Sequence, residues 1–106
     1  MSLKWPNKDP DDVLDYSVDW SRFLGIETIG SVAWSILDAD GVEQAWTAPN
    51  IVNGLQLVSE TKNTTVATIQ IGMGTNNTTY DIFCEVTLSP SNSTAKRKIK
   101  IKVQEQ

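Results

Sequence analysis

The strongest constraint in this chain is a period of two. Residues 13–20 place Leu14, Tyr16, Val18 and Trp20 on one side and Asp15, Ser17 and Asp19 on the other. Such alternation is what a strand with one buried face requires, and it is incompatible with the 3.6-residue repeat of an amphipathic helix. The same pattern recurs at residues 28–37 (Val32, Trp34 and Ile36 against Ser31, Ala33 and Ser35) and at residues 64–71 (Ala67, Ile69 and Ile71). It is plainest in the last two segments, where Tyr80, Ile82, Cys84, Val86 and Leu88 are answered by Ile99, Ile101 and Val103. Shorter segments at residues 42–47 and from Leu55 to Ser59 complete the set, and no helix is expected.

Turn chemistry separates these segments. Asp38-Ala39-Asp40-Gly41 and Ser89-Pro90-Ser91-Asn92-Ser93 are built from residues that favour tight reversals. Seven short strands in 106 residues predict an all-β, immunoglobulin-like (fibronectin III-like) sandwich of antiparallel strands. Cys84 is the only cysteine, so no internal disulfide staples it. Trp34 is the candidate central tryptophan. Tyr80, opening the sixth predicted strand, is the candidate for a tyrosine corner. Residues 1–12 read as an extended arm ahead of a single domain at 13–106. On that reading, removing the arm leaves folding intact.

Charge is unevenly placed. Asp9, Asp11, Asp12, Asp15 and Asp19 crowd the N-terminal end, while Lys96, Arg97, Lys98, Lys100 and Lys102 crowd the C-terminal end. The first predicted strand, 13–20, is expected to run parallel to the last at one sheet edge, with Asp15 and Asp19 beside Lys98, Lys100 and Lys102. Exposed pairs of this kind contribute only about 0.2–1 kcal/mol each and would set register more than stability.

Reactive chemistry is sparse. Histidine is absent, which removes the commonest general base and metal ligand. Cys84 sits between Ile82 and Val86, and a thiol buried among aliphatics is inert. Asp9, Asp11 and Asp12 and the pair Asp38 and Asp40 lack the spaced ligand loop of a calcium site. Gly72-Met73-Gly74 lacks the lysine and helix of a phosphate loop. The Asn-Xaa-Ser/Thr triplets at Asn63, Asn76, Asn77 and Asn92 read as loop and strand composition. No enzymatic activity, cofactor or metal is therefore expected. A net charge of −4 argues against nucleic acid. No apolar run is long enough for a membrane helix, nor is there a signal peptide, so synthesis in the cytoplasm is expected. Binding is left to aromatics and acids: Trp5, Asp9, Asp11 and Asp12 in the arm, with Trp46 and Phe83 expected to face outward by alternation. Exposed Trp46 and Phe83 also leave open a carbohydrate- or cell-surface-binding sandwich.

The stretch Lys8-Asp9-Pro10-Asp11-Asp12-Val13-Leu14-Asp15-Tyr16-Ser17-Val18-Asp19-Trp20 resembles a family of small phage and prophage structural proteins, in which an acidic KDPDxxLDYxxDW segment precedes a Thr-Ile and tryptophan strand. Thr28-Ile29, Trp34 and the later Thr78-Thr79-Tyr80 are similar to that pattern as well. The hairpin at residues 38–47 and the Ser89-Pro90-Ser91-Asn92-Ser93 tip depart from it. The resemblance implies a virion protein of the fibre–tail adaptor or head–tail junction type. Its partners would be other virion proteins (tail, fibre or connector), with self-association in the particle left open. It also implies that the acidic arm serves assembly.

Overall fold

The alternating segments do become strands. The computed structural model describes residues 3–105, in which nine strands and one helical turn follow in order. They are β1 (Leu3–Lys4), β2 (Leu14–Asp19), α1 (Ser21–Leu24), β3 (Thr28–Leu37), β4 (Glu43–Ala45), β5 (Ile51–Val52), β6 (Leu55–Lys62), β7 (Val66–Met73), β8 (Thr78–Ser89) and β9 (Thr94–Val103). One sheet has the order β1-β9-β8-β3-β4 and the other β2-β7-β6-β5. By position, β2, β7 and β6 take the B, E and D places of an immunoglobulin-like sandwich, and β3, β8 and β9 take C, F and G.

The inward residues of both sheets form one core. Ile36, Ile82, Cys84, Val86, Ile99, Ile101 and Val103 from one sheet meet Leu55, Leu57, Ala67, Ile69 and Ile71 from the other. Trp34 is buried with them, as its place on the inward face of β3 predicts. Facing interiors of this kind are the dominant favourable term in folding a disulfide-free domain. The free thiol of Cys84 lies in this core.

The predicted edge pairing is overturned. The strand lying parallel to β9 is β1, with Leu3 opposite Ile99 and Lys4 opposite Lys100. β2 belongs to the opposite sheet, antiparallel to β7, with Asp15 opposite Gln70 and Asp19 opposite Val66. The reason is one of length: two residues carry no alternation, so the segment 13–20 reads as the first strand. The faces of β2 follow the pattern, with Tyr16, Val18 and Trp20 buried and Asp15, Ser17 and Asp19 exposed. Leu14, at the strand's end, is 39% exposed. The single turn of α1 is also unanticipated, because four residues are too few to show a helical period. It links β2 to β3 and ends at Gly25, whose φ of 61° is a conformation glycine adopts freely.

Tyr80 fastens the far end of the sandwich. The Thr75 N–H donates to its hydroxyl at 2.9 Å, and the hydroxyl donates to the Asn53 carbonyl at 2.8 Å. Tyr80→Phe leaves both backbone groups unpaired in a half-buried setting. It is expected to lower stability by about 1–3 kcal/mol, read as a shift of the urea midpoint at unchanged slope.

Candidate functional site

The arm is folded onto the sandwich. After β1 the Trp5 amide bonds the Lys100 carbonyl at 2.9 Å, and the Lys8 amide bonds the Lys102 carbonyl at 2.9 Å. Trp5 is 8% exposed, lies 4.9 Å from Tyr16 in a stacked pair and 6.3 Å from Trp34, and its indole N–H donates to the Ser17 carbonyl at 3.1 Å. Trp5 and Lys8 of the arm are therefore buried in the domain, and removing residues 1–12, of which Met1 and Ser2 lie outside the described residues, is not expected to leave folding intact.

Hydrophobic alternation does not mark Lys8 as an interior residue. It is fully buried, and its ammonium donates to the Asp9 carbonyl at 2.7 Å and the Met73 carbonyl at 2.6 Å. Burial lowers its pKa, while the charges of Asp12, Asp9 and Asp11 push back toward the protonated form. The acids of the arm thus compensate a cation that would otherwise be costly to desolvate. Asp9 also shapes the turn, since its Oδ1 accepts from the Asp11 amide at 2.8 Å and its carbonyl from the Asp12 amide at 3.0 Å. The available signal was a lysine set directly beside three aspartates.

Trp46 requires correction. It is not an outward aromatic but is 0% exposed. β4 ends at Ala45, and just beyond it the Trp46 amide bonds the Trp34 carbonyl at 3.0 Å. The register carries on one residue past β4 and sets Trp46 opposite the inward Trp34; the three exposed residues of β4 show no alternation from which that phase could be read. Phe83 does lie on the outer face of β8 but is half-buried, with the Lys96 ammonium 4.9 Å above its ring. Lys96 in turn pairs with Glu43 at 2.7 Å. Lys100 and Lys98 pair with Asp81 at 2.9 and 3.9 Å, so Lys96, Lys98 and Lys100 find partners within their own sheet instead of Asp15 and Asp19. The hydrogen bonds of Lys96 and Ser35 hold the Glu43 carboxyl below its ordinary range.

Burial pushes the Cys84 thiol up to about 12. Among the described residues no group of three or more acids, histidines or cysteines is placed to hold a metal. None of their helices is long and apolar enough to cross a membrane. What the surface offers is recesses and edges. A cleft of about 420 Å³ opens between Trp5, Pro6 and Asn7 of the arm and Leu14, Asp15, Tyr16 and Ser17 of β2. A second, of about 320 Å³, lies between β3 and β6 beside Glu60, whose carboxyl burial holds above its usual range.

These features describe a small disulfide-free β-sandwich with a structured acidic arm and a cleft beside it. Residues 8–102 match the family described as podophage GP4 fiber-tail adaptor protein gp77. The chain belongs to that family, a family of structural adaptors of phage tails. No curated protein matches it.

Proposed function

We propose that this protein couples fibre to tail as a preformed module, docking between virion components through non-covalent contacts and without chemistry of its own. The family match across residues 8–102 carries this reading. The fold supports it in two ways. The sandwich measures 41 × 26 × 25 Å, long enough to present separate surfaces to two partners. Those surfaces also differ in character. The outer face of β8 and β9 is a lattice of Lys96, Lys98, Lys100 and Asp81, whereas the outer face of β6 and β7 shows Ser59, Thr61, Thr68 and Gln70. Trp5, Asp9, Asp11 and Asp12 belong to the docking apparatus mainly by holding the arm in place. Phe83 lies within the charged face.

Particles assembled without this protein are expected to keep their tails and lack fibres, as counted by negative-stain electron microscopy. Supplying the purified protein should restore the fibres. Fibres present at normal number on particles shown by mass spectrometry to lack the chain would sink the reading.

A further inference from the structure

Four strands border the two sheets, and three of them, β1, β4 and β5, are only two or three residues long. The fourth, β2, runs for six residues, about 20 Å of strand. Its inner side is used by β7. Its outer side is not paired with any strand among the described residues. A long edge that no strand covers invites strand addition, and proteins normally shorten, bulge or cover such edges.

The direction of the backbone groups follows from two hydrogen bonds. The Trp20 amide bonds the Thr65 carbonyl, on the β7 side. The Ser17 carbonyl instead faces the other way, where the Trp5 indole takes it. The N–H and C=O of one residue in an antiparallel strand point to the same side and alternate along it. Asp15 and Ser17 therefore present their amides to the open edge. The arm-side cleft opens along this same edge, walled by Pro6 and Leu14. The edge is acidic: Asp15 and Asp19 are exposed on β2 itself, Asp11 and Asp12, whose charges also act on Lys8, are exposed in the segment just before it, and none of the four forms a close ion pair among the described residues. Of the basic residues of β9, Lys96 is turned to Glu43, Lys98 and Lys100 to Asp81, and Arg97 lies over the rings of Trp20 and Phe23.

The geometry points to strand addition at β2 by an extended, basic segment of a partner virion protein. The segment's backbone pairs with the amide and carbonyl of Asp15 and with the Ser17 amide, stopping short of the Ser17 carbonyl that Trp5 holds; an apolar side chain seats in the cleft between Pro6 and Leu14, and its lysines or arginines face Asp11, Asp12, Asp15 and Asp19. Main-chain pairing supplies affinity in this mode, while the cleft and the charges supply selectivity. This assignment rests on the adaptor reading for the existence of a partner and adds the site and the partner's chemistry.

The test uses the full chain with the fibre protein and the tail protein of the same phage, each purified and titrated separately. Ser17→Pro removes only an outward amide, and proline is tolerated on edge strands. Asp15→Lys reverses one exposed charge. Both variants are expected to keep the wild-type circular dichroism and thermal midpoint. Each should weaken binding to one of the two partners roughly tenfold or more and leave the other unchanged. Hydrogen exchange at the Asp15 and Ser17 amides should slow when that partner is added to wild type, a readout that stands even if Ser17→Pro fails to fold. Wild-type binding by both variants, or no protection of those amides in the complex, would overturn the site and leave the adaptor reading intact. Loss with Asp15→Lys alone, Ser17→Pro folding and binding normally, would reduce the contact to side-chain charge and overturn strand addition. Self-association of wild type that Ser17→Pro abolishes would assign the edge to a second copy and overturn the partner segment. Failure of wild type to bind either protein would bring down the adaptor reading itself, and this site with it.

Discussion

Trp5→Ala is expected to remove about 3–5 kcal/mol of stability, the range typical of a large aromatic cut from a packed core. Three separate losses combine. The substitution empties a site that is 8% exposed, breaks the stack on Tyr16 at 4.9 Å, and leaves the Ser17 carbonyl without its indole donor. Net stability of a domain this size is about 5–15 kcal/mol, so the change takes a large part of it. Urea unfolding followed by far-ultraviolet circular dichroism measures the effect directly. The three remaining tryptophans, Trp20, Trp34 and Trp46, are all buried and give an independent fluorescence reading. Trp5→Phe keeps the stacking and loses the hydrogen bond, so it should fall between wild type and alanine. A cost below about 1 kcal/mol for the alanine variant would show that the arm rests on the sandwich without holding it together. The outcome also decides how assembly should be probed. If Trp5 is core, deleting residues 1–12 confuses unfolding with loss of docking, and surface substitutions such as Asp15→Lys are the cleaner instrument.

How far these features are legible in the sequence depends on which physical signal each one leaves. Strands β2, β3, β7, β8 and β9 were legible because burial of one face writes a period of two into the sequence, and Tyr80 was legible because a tyrosine after a glycine-containing loop has a known structural use. β1 was not, since two residues hold no period, and its omission moved the parallel edge pairing onto the wrong strand. The inward place of Trp46 was not legible because the three residues of β4 are all exposed and leave no phase to read, whereas its register sets Trp46 opposite the buried Trp34. The open edge of β2 could not be seen at all: it exists only because the chain before it crosses to the other sheet, a fact of topology and not of composition. The acids of the arm were visible as residues, yet their relation to a buried cation was not. A lysine reads as surface in any hydrophobicity pattern, and Lys8 is in the interior.

Lys8→Ala is therefore the second large effect expected. It deletes two hydrogen bonds from a charged donor, to Asp9 and Met73, each worth about 1.5–3 kcal/mol where the donor is ionised. It also empties the space of the aliphatic stem, at about 0.8 kcal/mol per buried methylene. Against this stands the relief of desolvating an ammonium, which offsets part of the loss. The net is expected near 3 kcal/mol of destabilisation. Lys8→Met separates the contributions: it keeps most of the volume and removes the charge, so it should cost less than alanine. A pH series then tests the electrostatic part. The folded-state pKa of Lys8 is lowered by burial, so the fold disfavours the protonated amine. That penalty is present at neutral pH. It fades as pH rises through the lowered folded value and is gone above the unfolded value of about 10.4. The stability of wild type relative to Lys8→Met should accordingly increase from neutral pH toward pH 10, with the remaining lysines and tyrosines common to both proteins and cancelling. A difference that stays flat across that range would mean that Asp9, Asp11 and Asp12 fully compensate the buried charge. A difference that falls would mean that they hold it more firmly than water does, leaving the arm's acidity wholly a folding device.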